Sequence, residues 1–286
     1  MPKITICTPI KNAAATIERT AKSVLAQTNH DWEMLVLDNG SDDNSLEILE
    51  DTFKKQGKQK KLSVFRNSAL NLSEARHYLS SIGDSQYISV LDADDLYHPE
   101  KLDHQLHIME WEKDISLCGS AAVWFKVCSV GQFTYDEVVR TFRPSQYQYP
   151  RLDTFSLVHA SVPHSSFFMR RADYEKIGGY RPYHNVTHDH DLMLRLSDVG
   201  LIFCDKKPMI RYLLHDNAIS SLKRRDQVRN AITSYANLLL RRIDEEELSE
   251  VFPEEDVFEY LVSIGRSSEA MVLKNFFEGY LKTMMK

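Results

Sequence analysis

Three carboxylates lie within four residues in Asp92-Ala93-Asp94-Asp95, directly after the apolar run Tyr87 to Leu91. Like charges this close repel one another. A divalent cation offsets the repulsion, because hard cations take oxygen ligands. Magnesium or manganese held in this way usually also binds substrate phosphates and acts as a Lewis acid toward a departing diphosphate. The plainer alternative is an acidic turn capping the next helix. His188-Asp189-His190-Asp191 is a second cluster with metal-ligand chemistry. Residues i and i+2 do not share a helix face, so all four are not expected to converge. Acids in a first helical turn are also favoured by the helix dipole alone. The sharper reading makes Asp189 a general base that takes a proton from an acceptor hydroxyl. Asp38, before Asn39-Gly40-Ser41-Asp42, is either a turn aspartate or a hydrogen-bond partner for a base or ribose. Arg76 has the fork to pair a phosphate, and His164 and His215 are further candidates.

These residues need a frame, and the first half of the chain supplies a strand–helix alternation. Ile4 to Thr8, Trp32 to Leu37, Leu62 to Phe65 and Tyr87 to Leu91 read as strands. Helical stripes follow them: Ile17, Ala21 and Val24, then Leu46, Leu49 and Phe53, then Ala75, Leu79 and Ile82. Ser73 is placed as the cap of the third helix, and Pro99 marks the start of a fourth carrying Leu102, Leu106 and Met109. Lys54 to Lys61 reads as a solvated basic loop. Repeated units of this kind imply a parallel sheet with helices on both faces, and ligands bind beyond the carboxyl ends of its strands. Asp38 and Asp92 fall at such ends. The second half is less regular. Residues 117–150 read as strands and loops, Phe167 to Arg170 as a strand, Gly178-Gly179 as a turn, and Ile210 to Leu214 as a strand. A helix carrying Leu192, Leu196 and Val199 starts near Asp189, and helices dominate from Lys223 onward.

The 286 residues are 43% hydrophobic, ample for a core. A net charge of -6 argues against nucleic acid as the partner. Cys7, Cys118, Cys128 and Cys204 form no CxxC pair, which speaks against a zinc knuckle and for a reducing compartment. The opening MPKITICTPI turns polar too soon for a signal peptide, and no run of about 18 apolar residues spans a membrane. A cytoplasmic protein is expected, with attachment to the inner face of the membrane compatible with the sequence.

Four segments in order resemble glycosyltransferase family 2 over residues 3–221. They are ITICTPIKNAAATIERTAKSVLAQT, MLVLDNGSDDNSLEIL, LSEARHYLSSIGDSQYISVLDADDLYHPEKL and FFMRRADYEKIGGYRPYHNVTHDHDLMLRLSDVG. The resemblance implies a GT-A fold: an α/β, Rossmann-like, mostly parallel sheet flanked by helices. It implies a glycosyltransferase domain over residues 1–221 and a helical extension over residues 222–286. The implied activity is transfer of a sugar, with inversion, from a nucleotide-sugar, most often UDP-linked, to a glycan or lipid-linked saccharide. Surface-polysaccharide synthesis in a bacterial envelope is the setting the family implies.

By the same resemblance Thr8, Pro9 and Asp38 line the base and ribose pocket, with Arg76 near the nucleotide. Asp92 faces the ribose, Asp94 holds manganese or magnesium, and Asp95 lies close to the donor sugar. Asp189 matches the catalytic base, and His215 approaches the metal or diphosphate. The sequence departs from the family pattern at Lys11, His77 and His188, where Tyr, Asn and Glu are usual, and at Tyr212-Leu213-Leu214-His215 in place of Tyr-Arg-x-His. These departures bear on which sugar is used rather than on the reaction class.

The tail after Ser221 mixes basic and acidic stretches. An apolar face of Val272, Phe276, Phe277 and Tyr280 would pack on the domain or form a dimer. Membrane-surface contact is the weaker reading, because acids are interleaved with the bases. Three rival functions fit less of the sequence. An Asp-based phosphotransferase has its Asp-x-Asp after the first strand, not the fourth. A nucleotidyltransferase needs a Gly-rich loop near the N-terminus. A nucleotide-sugar sensor would bind donor without turnover.

Overall fold

The computed structural model describes residues 2–130, 133–142, 148–149, 162–215 and 224–284. Its first half consists of β1 (Ile4–Ile10), α1 (Ile17–Leu25), β2 (Trp32–Asp38), α2 (Ser45–Lys55), β3 (Leu62–Arg66), α3 (Leu72–Ile82) and β4 (Tyr87–Val90). Side chains alternate across these strands, as the period of two requires. In β1 and β2, Ile4, Ile6, Met34 and Val36 enter one core, where α1 and α2 bury Ile17, Ala21, Leu49 and Phe53. Cys7, Leu35 and Leu37 enter the other, against Ala75 and Leu79 of α3. Helices thus cover both faces of the sheet, as the sequence implies.

After β4 come β5 (Leu96–Tyr97), α4 (Lys101–Trp111), β6 (Ile115–Val130), β7 (Phe133–Phe142), β8 (Gln148–Tyr149), β9 (Phe168–Arg170), α5 (Arg171–Lys176), α6 (His188–Leu196) and β10 (Leu201–Leu213). One sheet runs in the order β3-β2-β1-β4-β9-β6-β10-β5, with β7 on β6 and β8 on β10. Its β3-β2-β1-β4 part is parallel. β9 runs antiparallel to both β4 and β6, while β10 runs parallel to β6. Two 3-10 turns, Gln59–Lys61 and His164–Ser166, complete this part.

Several local expectations are corrected. α3 is capped by Asn71, not Ser73. The Asn71 side chain accepts from the Glu74 N–H, and the Glu74 carboxylate accepts from the Asn71 N–H. This capping box satisfies two donors reciprocally. The Ser73 hydroxyl instead donates to the Arg181 carbonyl at 2.8 Å. α4 starts at Lys101 rather than Pro99, because a turn closes first, from the Lys101 N–H to the His98 carbonyl. The basic segment is not all loop: α2 runs to Lys55, and Lys61 stands 4.6 Å over the Trp32 ring. β6 and β7 pair antiparallel as a long hairpin, Ala122–Val130 against Phe133–Phe142. Residues 131–132, 143–147 and 150, from the region expected to mix strands and loops, lie outside the described residues.

α7 (Arg224–Arg242), α8 (Glu254–Ser263) and α9 (Ser267–Met284) make up the rest. They share a core containing Val228, Ile232, Leu261, Leu273 and Leu194, the last contributed by α6. The C-terminal helices therefore pack against the helix that carries Asp189. Arg181 reinforces this with hydrogen bonds of 2.7 and 2.9 Å to Glu247, which also accepts from Arg241. The expected apolar face on α9 is only partly internal: Phe277 is buried but Val272 is half exposed. The side chains of Phe276 and Tyr280, and the boundary expected at residues 221 and 222, lie outside the described residues. Among the described residues no helix is long and apolar enough to cross a membrane.

One core residue has a consequence for stability. Lys101 is fully buried; its Nζ donates to Ser89 Oγ at 3.0 Å and stands 4.1 Å from the Tyr97 ring centroid. Burial pushes its ammonium down to about 7, from an ordinary 10.5. Between these values the unfolded chain binds more protons than the folded one. The destabilisation is therefore full below about pH 7 and fades as pH rises toward 10.5. Replacing buried ionic groups by apolar side chains of similar size is often neutral or stabilises by about 1–4 kcal/mol, and among the described residues Lys101 has no acid beside it to offset its charge. Lys101→Met is expected to gain that much at pH 6 and clearly less at pH 9, read by urea denaturation. Equal gains at both pH values would contradict the buried-ammonium account.

Candidate active site

The carboxyl ends of β1, β2 and β4 bring four of the expected residues to one edge. Asp38 closes β2, and its Oδ1 accepts the Ser41 N–H at 2.9 Å across a turn that Gly40 enters at φ +77°. A Cβ on Gly40 would sit 2.8 Å from Ser68 Cβ, so the tight approach needs glycine. Thr8 and Pro9 lie near the end of β1. The Thr8 hydroxyl is buried with no hydrogen-bond partner among the described residues.

Arg76 reaches across from α3. Its Nη2 donates to Asp92 Oδ1 at 2.7 Å. Its Nε and Nη1 are buried and have no partner among the described residues. A guanidinium carries five N–H donors, and buried donors left unpaired are costly. Burial pushes the Asp92 carboxyl up, but the Arg76 charge and His164 outweigh it and hold the group below the ordinary carboxylate range.

The other two carboxylates of the loop diverge. Asp94 stays on the open side, with its Oδ2 2.9 Å from His215 Nε2. Burial and the Asp92 charge push it up, and His215 offsets part of that. Asp95 is only 1% exposed. Its Oδ1 accepts the Leu213 N–H at 3.0 Å, and its Oδ2 accepts the Ser165 hydroxyl at 2.5 Å. Burial, then Asp94 and Asp92, push Asp95 well up. Its carboxyl faces the interior and ties β10 to the acidic loop, instead of reaching the open side. Ser165 also accepts the Asp92 N–H at 3.1 Å, so one hydroxyl clamps both ends of the loop.

The second cluster separates in the same way. Asp191 is buried against Arg195, which donates to its Oδ2 at 2.9 and 2.5 Å, and against His184 at 3.4 Å. That set anchors the start of α6. Asp189, in the same first turn, remains part-exposed, 3.8 Å from His190 Nδ1. Burial pushes Asp189 up, but His190, His188 and His164 outweigh it and hold the carboxyl below its ordinary range. His164, 3.8 Å from Asp92 and packed on the His188 ring beside Asp189, brings the base candidate and the acidic loop near one another.

The sequence named His164 and His188 only singly, and it missed Tyr180 and the contacts by which the three join the two clusters. His164 Nε2 lies 2.9 Å from the Tyr180 hydroxyl, and its Nδ1 lies 3.8 Å from Asp92. The His188 ring packs edge-on against His164 and Tyr180, with centroids 5.0 and 5.8 Å away. Burial, Arg76 and His164 push His188 down to about 3, so it stays neutral. Among the described residues, no three His, Cys, Asp or Glu side chains form a metal-binding group. Asp94 with His215 is the pair that fits one side of a divalent ion: a carboxylate and an imidazole on the open side. Diphosphate oxygens and water would complete its shell.

Comparison with known proteins shows the chain and its fold to be similar to glycosyltransferases. The chain is 27% identical over 220 residues to an uncharacterized glycosyltransferase of Rickettsia typhi, covering 75% of this chain and 65% of that protein. It thus spans slightly less than two thirds of that relative's length. Among solved structures, Staphylococcus aureus TarS 1–349 in complex with UDP-GlcNAc superposes with a TM-score of 0.62 at 16% identity, covering 91% of this chain and 71% of that one. The mannosyltransferase PcManGT from Pyrobaculum calidifontis, in complex with GDP-Man and Mn2+, gives 0.59 at 12% identity, covering 95% and 74%. The shared fold is that of GT-A glycosyltransferases. The profile described as Glycosyl transferase family 2 matches residues 5–178, more than half of the chain. By that match, on top of the strand-end aspartates and the Arg76–Asp92 pair, the protein belongs to glycosyl transferase family 2.

Proposed function

We propose that the protein transfers a sugar, with inversion, from a nucleotide diphosphate to a hydroxyl of a glycan or lipid-linked saccharide. The observation that carries this is the buried Arg76 guanidinium, paired to Asp92 on one nitrogen and without partners on two others. It is a ready contact for an anionic ligand at the strand ends, linked to the Asp189 side by the His164–His188 contact. TarS is solved with UDP-GlcNAc and PcManGT with GDP-Man and Mn2+, which supports a nucleotide-sugar donor and a divalent ion.

In this reading Thr8, Pro9 and Asp38 hold the base and ribose, and Arg76 and Asp92 fix the nucleotide beside them. Asp94 and His215 would hold manganese or magnesium, which when bound supplies charge neutralisation for the departing diphosphate. Asp95 acts as a positioning residue, because it locks the loop through Ser165 and the Leu213 N–H. Asp189 accepts the proton of the acceptor hydroxyl. That oxygen forms its bond to the anomeric carbon as the carbon–oxygen bond to the diphosphate breaks, and the electron pair leaves with the diphosphate. The Asp189 carboxyl is ionised at neutral pH and so can accept the proton; its lowered pKa makes it a weaker base, which fits proton transfer late in the displacement, as the new bond forms. The three C-terminal helices support α6 from behind.

Attack from the face opposite the nucleotide fixes the stereochemistry. With a UDP-α-linked sugar, proton NMR at early times is expected to show the β-configured product. An α-configured product would rule out direct displacement.

A further inference from the structure

A cavity of about 630 Å3 opens on Asp94 from a side that none of Thr8, Asp38, Arg76, Asp92 or Asp189 lines. Such a volume is in the range of small-molecule sites, roughly 300–1,000 Å3. Its walls come from α1, the β6–β7 hairpin and the end of β10. Two arginines from different elements dominate it. Arg19 of α1 and Arg211 of β10 both reach a single oxygen, Oδ2 of Asp136, at 2.6 and 2.9 Å. Both guanidiniums also stand over the buried Phe125 ring, 5.3 and 4.6 Å from its centroid. Their side chains keep 38% and 37% of their exposure.

Two guanidiniums share one carboxylate oxygen here, and the cavity's other acid, Asp94, is paired with His215. Ten guanidinium N–H donors face one carboxylate oxygen. The Phe125 ring excludes water from one side, which strengthens charge–charge contacts on the other. Such planar forks recognise carboxylate and phosphate bidentately. A tie between α1 and the hairpin needs only one arginine.

We propose that this cavity is an oxyanion subsite, holding a carboxylate or phosphate carried by the saccharide substrate. Asp136 acts as an internal counter-ion that keeps the two forks aligned until the anion arrives. The saccharide part of the proposal rests on the transferase reading above; the anion part does not.

The test uses the full chain with EDTA present, so that no metal bridges phosphate to Asp94. Glucuronate, glucose 6-phosphate and neutral glucose are titrated and followed by NMR. At least one anionic sugar is expected to bind and glucose is not, and the sugar that binds identifies carboxylate or phosphate as the group recognised. Arg211→Gln is expected to weaken that binding at least tenfold, and Arg19→Gln, on a different element, to act in the same direction. Asp136→Asn is expected to strengthen it several-fold, because it removes the competing carboxylate. A purely structural ion triad predicts the opposite pattern: all three variants lower the melting temperature and none strengthens binding. That result, binding of glucose as good as that of the anions, or no binding of either anion, would overturn the proposal. UDP with manganese is titrated in parallel. Failure of UDP to bind counts against the transferase reading and leaves the subsite result standing.

Discussion

Asp189→Asn is expected to lower sugar transfer by about 10²–10⁴-fold, the contribution typical of a positioned general base. Asparagine keeps the size of the side chain and its place in the first turn of α6, but it cannot take the acceptor proton. The Arg76–Asp92 pair that would contact the nucleotide stays in place. UDP affinity in calorimetry is therefore expected to stay within a few-fold of wild type while kcat falls. The loss also has a signature on the neighbour. Burial alone pushes His190 down, and the Asp189 carboxylate overrides this and raises it. The His190 pKa followed by NMR is expected to drop in the variant. Full transfer by Asp189→Asn would remove the residue from the mechanism.

The second large effect is expected at Arg76. Its pair with Asp92 is nearly buried, with side-chain exposures of 6% and 27%. Deleting one partner leaves the other charge uncompensated, which costs about 3 kcal/mol or more. Arg76→Met should therefore lose that much stability and also lose nucleotide binding. The double variant Arg76→Met, Asp92→Asn separates the two effects. It is expected to recover most of the stability, because no buried charge is stranded, and to recover none of the binding. Denaturant melts and UDP titration read the two quantities. If the double variant bound UDP normally, the guanidinium would be a structural cation only.

How much of this was readable in the sequence follows from the range of the contacts. The strand-end aspartates were legible because the short apolar runs Trp32 to Leu37 and Tyr87 to Leu91 break at Asp38 and Asp92, and a parallel sheet puts those stops on one edge. The division of labour inside Asp92-Ala93-Asp94-Asp95 was not. It is decided by Ser165 and by the Leu213 N–H, 118 residues from Asp95. His164, Tyr180 and His188 meet through the packing of α6 on the sheet, and no spacing announces that. The cap of α3 was a different case. Asn71 has Glu74 three residues later, and Ser73 has Arg76, so the capping-box pattern was present and favoured Asn71. The β6–β7 hairpin was hidden because apolar residues run consecutively at Ala121 to Phe125 and again at Val138-Val139, without clean alternation.

The central claim is that a nucleotide diphosphate binds at the strand ends with a metal held by Asp94. The direct test is calorimetric titration of UDP, GDP and UDP-sugars, with and without manganese, into the wild type and Asp94→Ala. Manganese-dependent binding of a nucleotide diphosphate to the wild type, lost in Asp94→Ala, is the predicted result. Binding that ignores manganese and survives Asp94→Ala would contradict the metal assignment, and no nucleotide binding under any condition would contradict the transferase reading itself.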